Sequence, residues 1–229
     1  MKYSVNIFIL ISLLISGCGG GGNSTPNLSV GGLPTDTSID FKLFPDNYFT
    51  NYDVSAALTG ADNQGRTYTG NTTEKTLNET VFLGDPAIPV QTDMVFTISN
   101  GGFGAASLTS YYSVDAGDRR FLGSRNNNVE TVSATTTPIP ETANIGDAGV
   151  IGTYIDNSNA ETSLSWKLED GFNGNAKLVL SNVTNDQSGV LDNTFTTTYL
   201  IKPDGSRLSV ELKTFNANIN TEVTLTGNY

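Results

Sequence analysis

The sequence predicts an all-β protein, an antiparallel meander of about ten to twelve strands forming a β-sandwich or a (half-)barrel. Three observations predict it. Apolar residues alternate with polar ones at the two-residue period of a half-buried strand, and turn residues recur between these runs. No stretch after Gly17 keeps apolar residues at helical spacing for three turns.

Each strand follows from its own pattern. Val54/Ala56/Leu58 opens the series, followed by Met94/Phe96/Ile98, Leu164/Trp166/Leu168 and Leu178/Leu180. Phe195/Thr197/Tyr199/Ile201, Leu208/Val210/Leu212 and Val223/Leu225 complete it. Between them stand Asp62-Asn63-Gln64-Gly65, Asn100-Gly101-Gly102, Asp170-Gly171 with Asn173-Gly174, Asp186-Gln187-Ser188-Gly189 and Lys202-Pro203-Asp204-Gly205, residue types that suit tight turns. Thr is the commonest residue on the wet face, as in Thr194-Phe195-Thr196-Thr197-Thr198, and one short turn is expected near Pro45-Asp46-Asn47-Tyr48.

These strands make a β-rich domain over 38–229. Thr135-Thr136-Thr137-Pro138-Ile139-Pro140-Glu141-Thr142 lacks strand alternation and reads as a crossing loop between two halves, 38–134 and 145–229. Tyr111, Gly117 and Arg119 recur at the same offsets as Tyr199, Gly205 and Arg207. Two similar hairpins follow, by internal duplication or because a tyrosine, a turn glycine and a solvent-facing arginine suit any edge hairpin.

Ahead of the domain, Lys2 supplies a positive start, and the apolar run from Ile7 to Ile15 is too short for a membrane-spanning helix, which needs about 20 residues. It ends in Ile15-Ser16-Gly17-Cys18. Here the sequence resembles a bacterial lipoprotein precursor. The resemblance implies a signal peptide over 1–17, cleavage before Cys18, and acyl chains on Cys18 as the lipid attachment. Position 19 is Gly rather than Asp, which in that family implies sorting to the outer membrane of a Gram-negative cell. Three acyl chains at about 0.8 kcal/mol per buried methylene make a stable anchor. The Gly/Ser/Thr/Pro-rich stretch over 18–37 has little to bury and is expected to be a flexible linker. Leu58-Thr59-Gly60, Tyr68-Thr69-Gly70, Thr109-Ser110-Tyr111-Tyr112, Ile145-Gly146-Asp147 and Leu225-Thr226-Gly227 resemble segments of uncharacterised β-rich lipoproteins of marine and enteric Gram-negative bacteria, which bring no activity with them.

Composition removes most familiar catalysts. The 229-residue chain contains no histidine, so Ser/His/Asp and Cys/His pairs and imidazole proton transfer are excluded. With one cysteine it has no intramolecular disulfide and no CxxC pair. A net charge of −11 disfavours nucleic acid and anionic lipid surfaces. No cofactor or metal is expected.

The remaining acid-base option is a carboxylate pair. Asp115 with Asp118, or Glu169 with Asp170, would serve glycoside hydrolysis if set about 5 to 9 Å apart, but both sit at predicted turns where solvated acids are the commoner reading. Asp156-Asn157-Ser158-Asn159 and Asp186-Gln187-Ser188-Gly189 are oxygen-rich yet lack the Asp-x-Asx-x-Asx-Gly spacing and closing Glu of a calcium loop, so ordinary Asx turns explain them better. Gly101-Gly102-Phe103-Gly104 lacks the Lys-Ser/Thr of a phosphate cradle. Tyr111 and Tyr112 are adjacent, so one faces the core and the other is left to stack on a sugar or cap the sheet. Trp166, between Leu164 and Leu168, reads as core.

The expectation is a lipid-anchored outer-membrane protein, not an enzyme, whose β domain binds or scaffolds an envelope glycan or protein through residues the sequence does not identify. Two alternatives are an apolar-ligand carrier with a cavity inside the sheet and a carboxylate glycosidase. A large dry cavity favours the carrier, paired acids in a groove the hydrolase, and a filled core the scaffold.

Overall fold

The computed structural model describes residues 32–126 and 129–229. Cys18, the signal peptide and most of the proposed linker lie outside the described residues. The strands are β1 (Phe41–Lys42), β2 (Asp53–Asp62), β3 (Thr67–Thr76), β4 (Thr80–Phe82), β5 (Asp85–Ile98), β6 (Phe103–Ser113), β7 (Phe121–Asn126) and β8 (Val129–Thr136). They continue as β9 (Thr142–Ala143), β10 (Ala148–Asp156), β11 (Glu161–Phe172), β12 (Asn175–Asn185), β13 (Leu191–Ile201), β14 (Arg207–Asn216) and β15 (Thr221–Asn228). Among the described residues there is no helix, as the two-residue periodicity requires.

Twelve of these strands close into an antiparallel barrel. Neighbours in sequence pair along most of the wall, and the ring closes where β15 pairs β2 and β3 pairs β5. The β8–β10 pairing crosses the Pro138/Pro140 loop, so 38–134 and 145–229 share one continuous sheet. Closure leaves the ring without an unpaired edge. β4 is extra, pairing with the first residues of β5 outside the ring.

Alternation sorts the two faces. On β11, Thr162, Leu164, Trp166 and Leu168 face inward while Glu161, Ser163, Lys167 and Glu169 face out. β13 puts Phe195, Thr197 and Tyr199 inside and Thr194, Thr196 and Thr198 on the wall's other side. The outer surface is therefore rich in Thr, Ser and charge, the reverse of the apolar outer band of a membrane-spanning barrel.

One stretch of wall depends on glycine. Gly227, Leu58, Gly70, Phe96 and Gly104 lie side by side in one register row across β15, β2, β3, β5 and β6. A Cβ on Gly70 would sit 2.0 Å from the Val95 carbonyl oxygen, so only glycine permits this close approach. Leu58, Tyr68, Phe96, Val223 and Leu225 pack over this wall.

The segment from β1 to the start of β2 covers one end of the barrel, here called the base. Its Phe41, Leu43, Tyr48 and Tyr52 are buried. Backbone bonds tie it to several neighbours: Lys42 N donates to Pro203 O, Leu43 N to Glu141 O, and Thr76 N to Tyr52 O. The turn expected at Pro45–Tyr48 is present, with Tyr48 N donating to Pro45 O. Residues assigned to the linker also dock here. Thr35 N donates to Asp170 Oδ1 and the Thr35 hydroxyl to Asn175 O, so the folded part begins earlier than residue 38.

Candidate functional site

The barrel encloses a cavity of about 220 Å³. Its middle is apolar: Met94, Leu108, Leu164, Leu180 and Phe195 line it and are half-buried. Trp166 and Leu212 complete this layer. Ser124, Thr131, Asp156, Thr162 and Asn182 form a polar collar toward the end away from the base.

The base end is built around a buried ion pair. Arg207 Nη1 pairs with Glu74 Oε2, with side chains only 2% and 7% exposed. Tyr48 donates its hydroxyl to the other Glu74 oxygen. The Arg207 guanidinium lies 3.8 Å over the Tyr199 ring and 4.9 Å over that of Tyr48, cation–π contacts strengthened by desolvation. Burial opposes the Arg207 charge most strongly, but the Glu74 carboxylate together with the Tyr199, Tyr48 and Tyr52 hydroxyls outweighs it and holds the guanidinium well above the usual arginine range. Burial likewise pushes the hydroxyls of Tyr48, Tyr112 and Tyr199 up, so each keeps its proton at neutral pH. Arg207, Glu74, Tyr48, Tyr112 and Tyr199 all line the cavity.

The carboxylates singled out from sequence are elsewhere. Asp115 accepts from Gly117 N and Asp118 pairs with Arg120, both in the β6–β7 connection. Glu169 pairs with Lys167, and Asp170 accepts from Phe172 N. Neither pair lines the cavity. Asp156 Oδ1 takes the amides of Ser158 and Ala160, and Asp186 Oδ1 those of Ser188 and Val190, so both oxygen-rich segments are Asx-capped hairpin turns. Gly101 has φ +88° in the β5–β6 hairpin.

The aromatic pair requires a correction. Alternation does place Tyr111 and Tyr112 on opposite faces, but neither is left for a sugar. Tyr112 joins Phe44, Phe49 and Phe121 inside the base. Tyr111, outside, is covered by Phe82 of β4 in a stack with centroids 4.2 Å apart. A strand too short to read from sequence buries it. Trp166 is interior, at 7% exposure, as expected. The echoed hairpins differ: Tyr199 faces in and carries Arg207 over its ring, whereas Tyr111 faces out and Arg119 lies over Phe49.

Glu74 went unnoticed in the sequence because Thr67–Thr76 shows little apolar alternation. The available signal was its parity with Tyr68, Gly70 and Thr72, which places a charge on the inward face.

No family model and no curated protein matches the chain. Among solved structures it is similar to a candidate lipoprotein from Parabacteroides distasonis ATCC 8503, at 14% identity and a TM-score of 0.33, over 81% of this chain and 96% of that one.

Proposed function

We propose that this chain is a lipid-anchored protein of the Gram-negative outer membrane, held by acyl chains on Cys18, whose barrel binds a small ligand with an apolar body instead of catalysing a reaction. The observation that carries the binding reading is the cavity of about 220 Å³ with its layer of Met94, Leu108, Leu164, Leu180 and Phe195. A cavity of about 150 Å³ holds benzene, so by proportion this one suits a ligand of roughly nine heavy atoms, below the usual drug-sized pocket. The polar outer wall and closed ring favour an interior site over a sheet edge. Anchoring rests on Ile15-Ser16-Gly17-Cys18 after a short apolar run.

Trp166 is the single tryptophan and lines the cavity, so it reports occupancy. Bromohexanol, whose bromine quenches tryptophan at contact, should quench native Trp166 saturably. Ala106 also lines the cavity, and Ala106→Phe should abolish that quenching while leaving the thermal transition within a few degrees. Linear, unsaturable quenching in both proteins would contradict an interior site.

A further inference from the structure

Among the described residues, the buried side-chain polar atoms without a hydrogen-bond partner are Arg66 Nη1 and Nη2, Asn126 Oδ1, Asn193 Oδ1 and Arg207 Nε. Only Arg207 lines the cavity. Leaving a buried donor unpaired is costly, and such a group in a native structure calls for a partner.

The hydrogen-bond inventory of the base says what that partner must be. Glu74 offers two oxygens, one taken by Tyr48 and the other by Arg207. Around them stand a permanently charged guanidinium and the hydroxyls of Tyr48, Tyr112 and Tyr199. Each hydroxyl can accept as well as donate, but Glu74 is the one carboxylate lining this end and both its oxygens are taken, so the Arg207 Nε–H is left without an acceptor. The Glu74 charge is already matched by Arg207, so an incoming anion meets a neutral pair with a spare N–H, not a negative wall. Asp156, the other carboxylate lining the cavity, sits in the collar with Oδ1 committed to turn amides.

We propose that the ligand carries a carboxylate, seated against Arg207 at the base, with its short apolar body lying along Leu164, Leu180 and Phe195. A carboxylate supplies only acceptors, and its bonds to a guanidinium are roughly twice as strong as neutral ones. This rests on the interior-site reading above and names the ligand class for it.

Calorimetric titration of the purified, lipid-stripped protein with hexanoate and with hexanol at neutral pH separates the two ideas. Hexanoate should bind at least fivefold more tightly. Any smaller preference, as when a water satisfies Arg207 Nε, overturns the carboxylate seat while leaving the apolar site standing. Binding of neither compound overturns both. The Arg207 Nε–H resonance should shift on adding hexanoate and stay in place with hexanol; the reverse would also refute the seat. Arg207→Lys, which keeps the charge facing Glu74 but loses the Nε–H, should bring the preference below twofold, and an undiminished preference in that variant would place the head group elsewhere.

Discussion

Arg207 of β14 and Glu74 of β3 form an ion pair inside the barrel although β15 and β2 lie between their strands in the sheet. The two side chains meet over the inward faces of those intervening strands. Tyr48, from the segment that covers the base, joins them through the same carboxylate. One buried acid thus ties the base cover to two separated parts of the wall.

Removing one partner should cost far more than removing both. Glu74→Ala leaves the Arg207 guanidinium buried and unpaired, and is expected to lose about 3–5 kcal/mol of stability. Replacing the pair together, Glu74→Leu with Arg207→Met, should cost much less than the sum of the two single changes. Urea unfolding of the three variants measures this, and additive losses would mean the two groups do not interact.

Alkaline pH should unfold the barrel together with its tyrosines. Burial raises the hydroxyls of Tyr48, Tyr68, Tyr112 and Tyr199 above their ordinary value of 10.0, and that of Tyr154 to about 12. Above pH 10 the unfolded chain then holds fewer protons than the folded one, so stability present below pH 10 falls as pH rises toward the folded-state values. Tyrosinate absorbance should rise in one cooperative step coincident with loss of the strand dichroism. A gradual rise near pH 10 with the fold intact would show these rings to be solvated.

Two glycines should differ in why they matter. Gly70→Ala drives a Cβ to within 2.0 Å of the Val95 carbonyl oxygen and should cost about 3 kcal/mol or more through overpacking. Gly65 has φ +81° with open space around its Cβ position, so Gly65→Ala should cost only the left-handed strain of about 1–2 kcal/mol. Thermal melts rank the two, and equal shifts would argue against the tight wall at Leu58, Gly70 and Phe96.

The anchor has its own test. Cys18→Ser should end incorporation of a fatty-acid analogue and leave unprocessed precursor in the cell. Undiminished labelling would remove Cys18 as the attachment point.

Much of the wall was legible in the sequence. Leu164/Trp166/Leu168 and Phe195/Thr197/Tyr199/Ile201 read as strands because one face meets the core and the other water, and both lie inward in β11 and β13. β3 was obscure since Thr67–Thr76 packs with small residues and a glycine where other strands use Leu or Val. Whether the meander closed was equally hidden, because closure rests on long-range pairings such as Tyr68 with Ile98 and Leu225 with Gly60 that no local pattern encodes. The site was least visible of all. Arg207 reads from the sequence as the solvent-facing arginine of an edge hairpin, yet its side chain is buried, and Glu74 is not read at all, for what makes them a pair is the curvature that brings β14 and β3 face to face.

Ligand binding inside the barrel has a direct readout. Anomalous diffraction from crystals soaked in bromohexanol locates the bromine directly. A single strong peak within van der Waals reach of Leu164, Leu180 and Phe195 is the predicted result. A peak confined to the outer wall, or no peak in the cavity at saturating soak, would contradict the interior site.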